Sequence, residues 1–317
     1  MKFRRRRDWI PSPLYSYVRG RQLEKSMDSD PSKGTYLLTG MRIGAGWGTV
    51  SDGRWPYNGK KWPPDLPAGH DDFDRIASYN RTRSFFAVRG LKDAKQVLAS
   101  GNLFQLSVPI TKHWRTPKDG VIPLPLSGRK DTFSGTHAIV VYGYDDKTRL
   151  LKFRNSWGAR WGANGDGYLP YSYMTLYMSE AWGIQDFPDI RPCLPSSSYG
   201  AYITRSWNVL GFDTAQCAIH GHNGEKVGWC FTTCRDGFLD IEELFIKPGY
   251  RASSHLPVLA QFVITEKQKT NLPLRFWLNH CDASPTAYNY HLIFNSIGGL
   301  GLTLRPSHER WATGIAT

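Results

Sequence analysis

Apolar residues change period along the chain, and the changes mark its elements. Ser12-Pro13 followed by residues 14–23 predicts a helix, with Ser12 as N-cap and Pro13 as first helical residue. Residues 34–42 predict a second short helix. Residues 52–70 are rich in Gly, Pro and Trp and read as a long surface loop. Leu91, Ala94 and Leu98 fall at helical spacing. Phe104, Leu106, Val108 and Ile110 then alternate, so a strand is expected there. Residues 138–144 and 150–154 give two more strands, joined by a turn at 145–148. Residues 183–206, with Pro188, Pro192, Pro195 and Ser196–Ser198, read as an interdomain linker. Beyond it, residues 216–220 and 227–234 flank Asn223-Gly224, a strong hairpin signal. A strand at 240–246, a helix at 256–265 and a buried strand at 274–278 complete the pattern. The expected organisation is two domains, residues 1–182 and 207–317.

Composition narrows the class. At 317 residues, 40% apolar and 14% aromatic, the chain has enough material for two packed cores. No stretch approaches eighteen apolar residues, so no membrane span and no membrane partner is expected. The basic start, Met1 to Asp8, lacks a following apolar segment and does not read as a secretory signal. The net charge of +13 is dispersed apart from Arg4–Arg7, which reads as a solvated tail; no specific nucleic-acid partner is expected. All five cysteines (Cys193, Cys217, Cys230, Cys234, Cys281) lie in the last 125 residues. An odd count at irregular spacing argues against a disulfide scaffold, and a reducing cytoplasm is the expected setting. The sequence sets no oligomeric state.

The first candidate chemistry is a histidine at the start of an apolar strand, in Gly135-Thr136-His137-Ala138. Eighteen residues later comes Arg154-Asn155-Ser156-Trp157-Gly158, and then the run Trp161 to Tyr168. In an antiparallel pair His137 and Asn155 meet at neighbouring strand ends. The amide oxygen then fixes the imidazole tautomer, the second ring nitrogen is left as a base, and Trp157 shields the bond from water. The segment resembles papain-like cysteine peptidases, particularly short bacterial ones, in His-Ala, Asn-Ser-Trp-Gly and Trp-Gly-x-Asn-Gly-x-Gly-Tyr. The likeness spans about residues 12–180. It implies His137 as base and Asn155 as its orienter, opposite a cysteine thiolate, with peptides or proteins as substrates. The signature Cys-Gly-Ser/Ala-Cys-Trp/Tyr is absent and no Cys precedes Cys193. The expectation is therefore a homologue that is proteolytically inactive alone: a non-catalytic relative, a truncated product, or a chain completed by a segment from another. Ser12 is read as a helix cap, not a substitute nucleophile.

The second is strand, tight loop and helix over 240–256. Such a loop turns successive backbone N–H groups and a helix N-terminus towards a pyrophosphate. With the hairpin before it and the strand after it, the order resembles a GCN5-related N-acetyltransferase (GNAT), whose two parallel strands splay around acetyl-CoA. That family's loop reads Arg/Gln-x-x-Gly-x-Gly/Ala; here Arg251 matches, but Ser254 and Leu256 take the two small-residue positions. The resemblance implies acetyl-CoA contacts at Phe245, Ile246, Arg251, Ala252, Ser253, Ser254 and His255. It also implies Glu243 as base and Tyr288 or Tyr290 as acid for acyl transfer.

The fold class expected is α+β: a papain-like part with an antiparallel, barrel-like sheet, plus a smaller α/β GNAT-like domain. Two further functions are carried: a working acetyl-CoA-dependent acyltransferase with the first domain as substrate-binding module, or a non-enzymatic peptide-binding or relic protein. Cys217, His220, His222, Cys230 and Cys234 invite zinc, but a two-residue hairpin puts the histidines off Cys217's face, so no metal is expected. A Cys217–Cys230 disulfide is geometrically allowed and disfavoured in a reducing compartment.

Overall fold

A computed structural model of the chain describes residues 9–28, 30, 33–57, 64, 67–125, 133–188, 200–207, 210–221, 224–250, 255–279, 303–305 and 311–316. In chain order its main elements are α1 (Pro13–Leu23), α2 (Leu37–Gly46), α3 (Phe73–Ala77), β1 (Thr82–Ala87), α4 (Leu91–Ala99), β2 (Phe104–Ile110), β3 (Gly135–Asp145), β4 (Leu150–Arg154), β5 (Asp166–Pro170), α5 (Tyr171–Tyr177) and β6 (Glu180–Pro188). They continue with β7 (Gly200–Trp207), β8 (Asp213–His220), β9 (Lys226–Arg235), β10 (Phe238–Ile246), α6 (His255–Thr270), β11 (Leu274–Asn279), β12 (Thr303–Arg305) and β13 (Trp311–Ala316). The chain divides into two compact units. One comprises Met1–Ser84, Asp186–Asn208 and Phe212–Thr317; the other comprises Phe85–Gln185 and Val209–Gly211. Among the described residues no helix is long and apolar enough to cross a membrane.

The unit from Phe85 to Gln185 is built on a six-stranded sheet in the order β1-β6-β2-β3-β4-β5. The sheet is antiparallel along β2–β3–β4–β5 and β2–β6. It is open, with β1 and β5 as edges, so the expected barrel-like closure is not found. Its core takes the alternate residues the period marked: Phe104, Leu106 and Val108 from β2, Ile139 and Val141 from β3, Leu151 and Phe153 from β4, all buried. One close approach demands glycine. A Cβ on Gly167 in β5 would stand 2.3 Å from the Phe153 ring and 2.8 Å from that of Trp161.

In the other unit α1 is capped as expected: Ser12 Oγ accepts from Tyr15 N–H and donates to Trp55 O. Trp55 is buried with Tyr15 and Phe73, so the segment read as a surface loop is anchored in a core at that point. Helix α2 begins at Leu37 and runs to Gly46, later at both ends than the pattern gave, because the apolar positions Leu38, Met41, Ile43 and Ala45 carry its buried face. A seven-stranded sheet follows in the order β12-β13-β11-β10-β9-β8-β7. Strands β7 to β10 run as an antiparallel meander, and β10 and β11 pair in parallel across the crossover helix α6. The expected linker is structured at both ends: β6 continues to Pro188 and β7 starts at Gly200, while 189–199 lie outside the described residues. A proline is tolerated as the last residue of a strand, so the composition there did not exclude one.

The sheet of this unit carries helices on both faces. Leu239, Ile241, Leu244 and Ile246 of β10 share a core with Leu259, Phe262 and Val263 of α6. Strict alternation cannot give that set. A bulge between Ile241 and Glu243 resets the parity, so that Glu243 and Phe245 leave the α6 face. There Trp229 and Phe245 stack at 4.8 Å and meet Trp47, which follows α2.

Candidate functional site

Extending the β3–β4 register, in which Val140 opposes Arg154, places His137 opposite Trp157 and diagonal to Asn155. His137 Nε2 lies 2.8 Å from Asn155 Oδ1. That oxygen also accepts the backbone N–H of Ser156 at 2.7 Å, which identifies it as the amide's acceptor end. Nε2 must therefore carry the proton, and the lone pair sits on Nδ1. The loop is held where it leaves β4, since Asn155 N–H donates to Gly165 O. Asn155 is buried, and its Nδ2 makes no hydrogen bond, so the residue is placed for its oxygen.

Three indoles fix the imidazole. Trp157, 40% exposed, lies over it with ring centroids 4.8 Å apart. Trp114 meets it edge-on at 6.0 Å. Trp161 packs against Trp157 and donates Nε1–H to Trp114 O at 2.6 Å. Trp114 Nε1–H in turn donates to Tyr173 Oη, whose hydroxyl donates to Pro109 O. Burial lowers the His137 pKa below its ordinary 6.5, against a smaller upward pull from the Asn155 hydrogen bond. The ring is thus neutral at neutral pH, with Nδ1 free to take a proton. Sequence reasoning found His137, Asn155 and Trp157 and missed Trp114 and Tyr173. Their only sequence signal was aromatic content without a motif.

The described thiols are Cys217, Cys230 and Cys234, all free and all in the seven-stranded sheet. Cys217 opposes Cys230 across the β8–β9 ladder, as expected. Burial pushes Cys217 up to about 11 and holds Cys230 well above the ordinary thiol value, so both are protonated thiols at neutral pH. Cys193, Cys281 and His222 lie outside the described residues. Among the described residues no cluster of His, Cys, Asp or Glu is arranged to hold a metal.

Of the second constellation, Phe245 and Ile246 end β10, buried, and His255 begins α6. Burial lowers the His255 pKa. Arg251, Ala252, Ser253, Ser254, Tyr288 and Tyr290 lie outside the described residues. Leu256 packs partly buried against the sheet core. The β10–β11 ladder covers only Leu239–Ile241 against Leu274–Phe276, although β10 runs on to Ile246 and β11 to Asn279. Pairing stops at the bulge that turns Glu243 to the other face. Glu243, 1% exposed, is gripped by Arg42 of α2: Nε to Oε2 at 3.0 Å and Nη2 to Oε1 at 3.2 Å. Oε1 also accepts from Leu244 N–H. Arg42 lies over the Phe245 ring at 5.0 Å. Sequence reasoning placed Arg42 on a helix without giving it a role.

Comparison with known proteins bears on the stretch that contains the first constellation. Residues 33–184 match the profile described as papain family cysteine protease. An uncharacterized peptidase C1-like protein of Acanthamoeba polyphaga mimivirus is 26% identical over 200 residues, which are 60% of this chain and 63% of that protein. The chain thus spans less than two thirds of the length of that curated relative. Among solved structures, xylellain, a cysteine protease from Xylella fastidiosa, is 27% identical with a TM-score of 0.51, covering 57% of this chain and 71% of its own. Residues 33–184 are thus similar to papain family cysteine proteases, and the fold is mixed α+β with an antiparallel sheet.

Proposed function

We propose that His137 and Asn155 form the proton-accepting half of a papain-type site, and that residues 1–317 alone do not hydrolyse peptides. The observation that carries this is the fixed tautomer: Nε2–H is committed to Asn155, which leaves Nδ1 to take a proton from a thiol. The first 192 residues contain no cysteine, and buried Cys217 and Cys230 are held as thiols. A thiol carried by another polypeptide segment would meet a base already oriented. The test is release of a fluorophore from a set of peptide amides by the purified chain. The expected rate equals that of His137→Ala. Turnover that His137→Ala abolishes and thiol alkylation blocks refutes the inactivity.

The second reading is an acyltransferase in the C-terminal sheet, of the GNAT-like kind that the strand–loop–helix order suggested. It is favoured by the parallel β10–β11 pair that stops pairing while both strands run on. Acetyl-CoA would lie between those strands, with Phe245 and Ile246 beside it and the start of α6 facing its pyrophosphate; bound there, it supplies the acetyl thioester. Leu256, which stands at a small-residue position of that loop pattern, packs partly buried against the sheet core. Calorimetry with acetyl-CoA tests this: saturable heat is expected, and no heat at millimolar ligand ends the reading.

A further inference from the structure

We infer that helix α2 is an autoinhibitory element for the Glu243 carboxylate of β10. This rests on the acyltransferase reading above.

Strand β10 carries three carboxylates, Asp240 within the stretch paired to β11 and Glu242 and Glu243 just beyond it, and a bulge turns Glu243 out of the α6 core. The Glu243 carboxylate does not stand open. Arg42 binds both of its oxygens, and one of them also takes the Leu244 N–H, the backbone donor next to the bulge. The guanidinium is held in turn. It stacks on Phe245, and the end of α2 is pinned where Trp47 meets Trp229 and Phe245 edge-on. Lys247 Nζ sits over that indole, 4.3 Å from the ring centroid, while pairing with Glu225. The chain passes close here: a Cβ on Gly46 would stand 2.4 Å from the Trp229 ring. With Arg42 at 5% side-chain exposure and Glu243 at 1%, this pair is sealed, and separating it leaves two buried charges.

A carboxylate saturated by a bidentate guanidinium is a poor proton acceptor. Released, Glu243 would take a proton from a water attacking the acetyl thioester. The new C–O bond forms at the acetyl carbonyl, the C–S bond breaks, and the departing thiolate takes the proton from Glu243, giving acetic acid and coenzyme A thiol. An amine in place of water gives an amide and the same thiol. Helix α2 is thereby a brake on thioester chemistry, released by whatever withdraws Arg42.

The test uses the full chain as wild type, Arg42→Gln, Glu243→Gln and the double variant, with acetyl-CoA and water as the only reactants. Thioester loss is followed by ultraviolet absorbance and binding by calorimetry. Arg42→Gln keeps a hydrogen-bond donor beside Glu243 and removes the charge. Its expected hydrolysis rate is about a hundred-fold above wild type, the lower end of what a positioned general base contributes. The double variant is expected to return to the wild-type rate. Binding heat without acceleration overturns the inhibition and leaves the acyltransferase reading standing. A double variant as fast as Arg42→Gln also overturns it, since Glu243 is then not the base. Absence of binding heat in every variant removes the acyltransferase reading itself, and the inhibition with it. If Arg42→Gln does not fold, Arg42→Lys, which keeps the cation but loses the fork, is the deciding variant: acceleration supports the brake and an unchanged rate overturns it.

Discussion

Replacing Asn155 by alanine removes the one acceptor that fixes the His137 ring. Two donors lose it: Nε2–H at 2.8 Å and the Ser156 N–H at 2.7 Å. Ser156 is exposed and its N–H finds water, whereas the half-buried imidazole does not readily, so the cost falls at the low end of the 1–3 kcal/mol for a stranded donor, about 1–2 kcal/mol. Loss of an amide Nδ2 that made no bond offsets part of it. At a net hydrogen-bond worth of about 1 kcal/mol, the preference for the Nε2–H tautomer falls about five-fold. The charged ring loses more than the neutral one, because the hydrogen bond now raises the pKa against the dominant burial effect. The His137 pKa therefore falls further below 6.5 in Asn155→Ala and rises in Asn155→Asp, where a carboxylate faces the same Nε2–H. The linkage follows the same sign. A histidine whose folded pKa is depressed leaves stability complete above pH 6.5, and stability is lost as pH falls through the folded value; Ala extends that loss to lower pH. Ring-nitrogen NMR of histidine-labelled protein, with the resonance assigned by His137→Gln, reads both tautomer and titration. The order Ala below wild type below Asp is expected. An Ala variant that titrates at or above wild type refutes the assignment of Nε2–H to Asn155.

Other consequences are open to simpler measurement. Gly167→Ala drives a Cβ to 2.3 Å from Phe153 and 2.8 Å from Trp161; overpacking of about 1–3 kcal/mol should lower the melting temperature by several degrees, and an unchanged melt would contradict the packing. Arg275→Met takes away the guanidinium that gives fully buried Asp240 two hydrogen bonds, of 2.5 and 3.0 Å, across the parallel pair, so urea unfolding should show a loss of about 3–5 kcal/mol. Adding Asp240→Leu should recover much of it, and no recovery would mean the ion pair is not what the site requires. With its pKa near 11, Cys217 has about one thiolate in a thousand at pH 8, and Cys230 is fully buried with its pKa raised in the same direction, so both should react with a disulfide reagent only on unfolding. Prompt labelling of either, located by mass spectrometry, counts against their burial.

Much of this was legible in the chain, for reasons that differ by residue. Ser12, the alternation from Phe104 to Ile110 and the pair His137–Asn155 are signalled by neighbours in sequence or by a short ladder, where pattern and geometry coincide. The face that Glu243 takes was not legible, because one bulge reverses the parity of every residue after Ile241. Its partner Arg42 lies 201 positions away and enters as a buried cation on a mostly apolar helix face, which periodicity scores only as a defect. Trp114 is in the same position: its contacts with His137, Phe153 and Tyr173 come from three separate elements. The strands hidden in the proline-rich stretch show the opposite failure, since composition marked all of 183–206 as linker although β6 runs to Pro188 and β7 starts at Gly200.

The two candidate bases differ in what surrounds them, and the difference orders what each is fit to do. Around His137 burial removes the charge and a single neutral acceptor holds one nitrogen, so the other keeps its lone pair at no electrostatic cost. Around Glu243 a guanidinium compensates the charge, and both oxygens are already accepting. Proton abstraction by the first requires only that a donor arrive. Abstraction by the second requires breaking a bidentate, nearly dry ion pair first, a cost of several kcal/mol that must come from ligand binding or from movement of α2. A carboxylate so placed stabilises the packing of α2 on β10 until something displaces Arg42. The same pair that locks α2 to β10 is thus the pair that the proposed acyl chemistry would have to open.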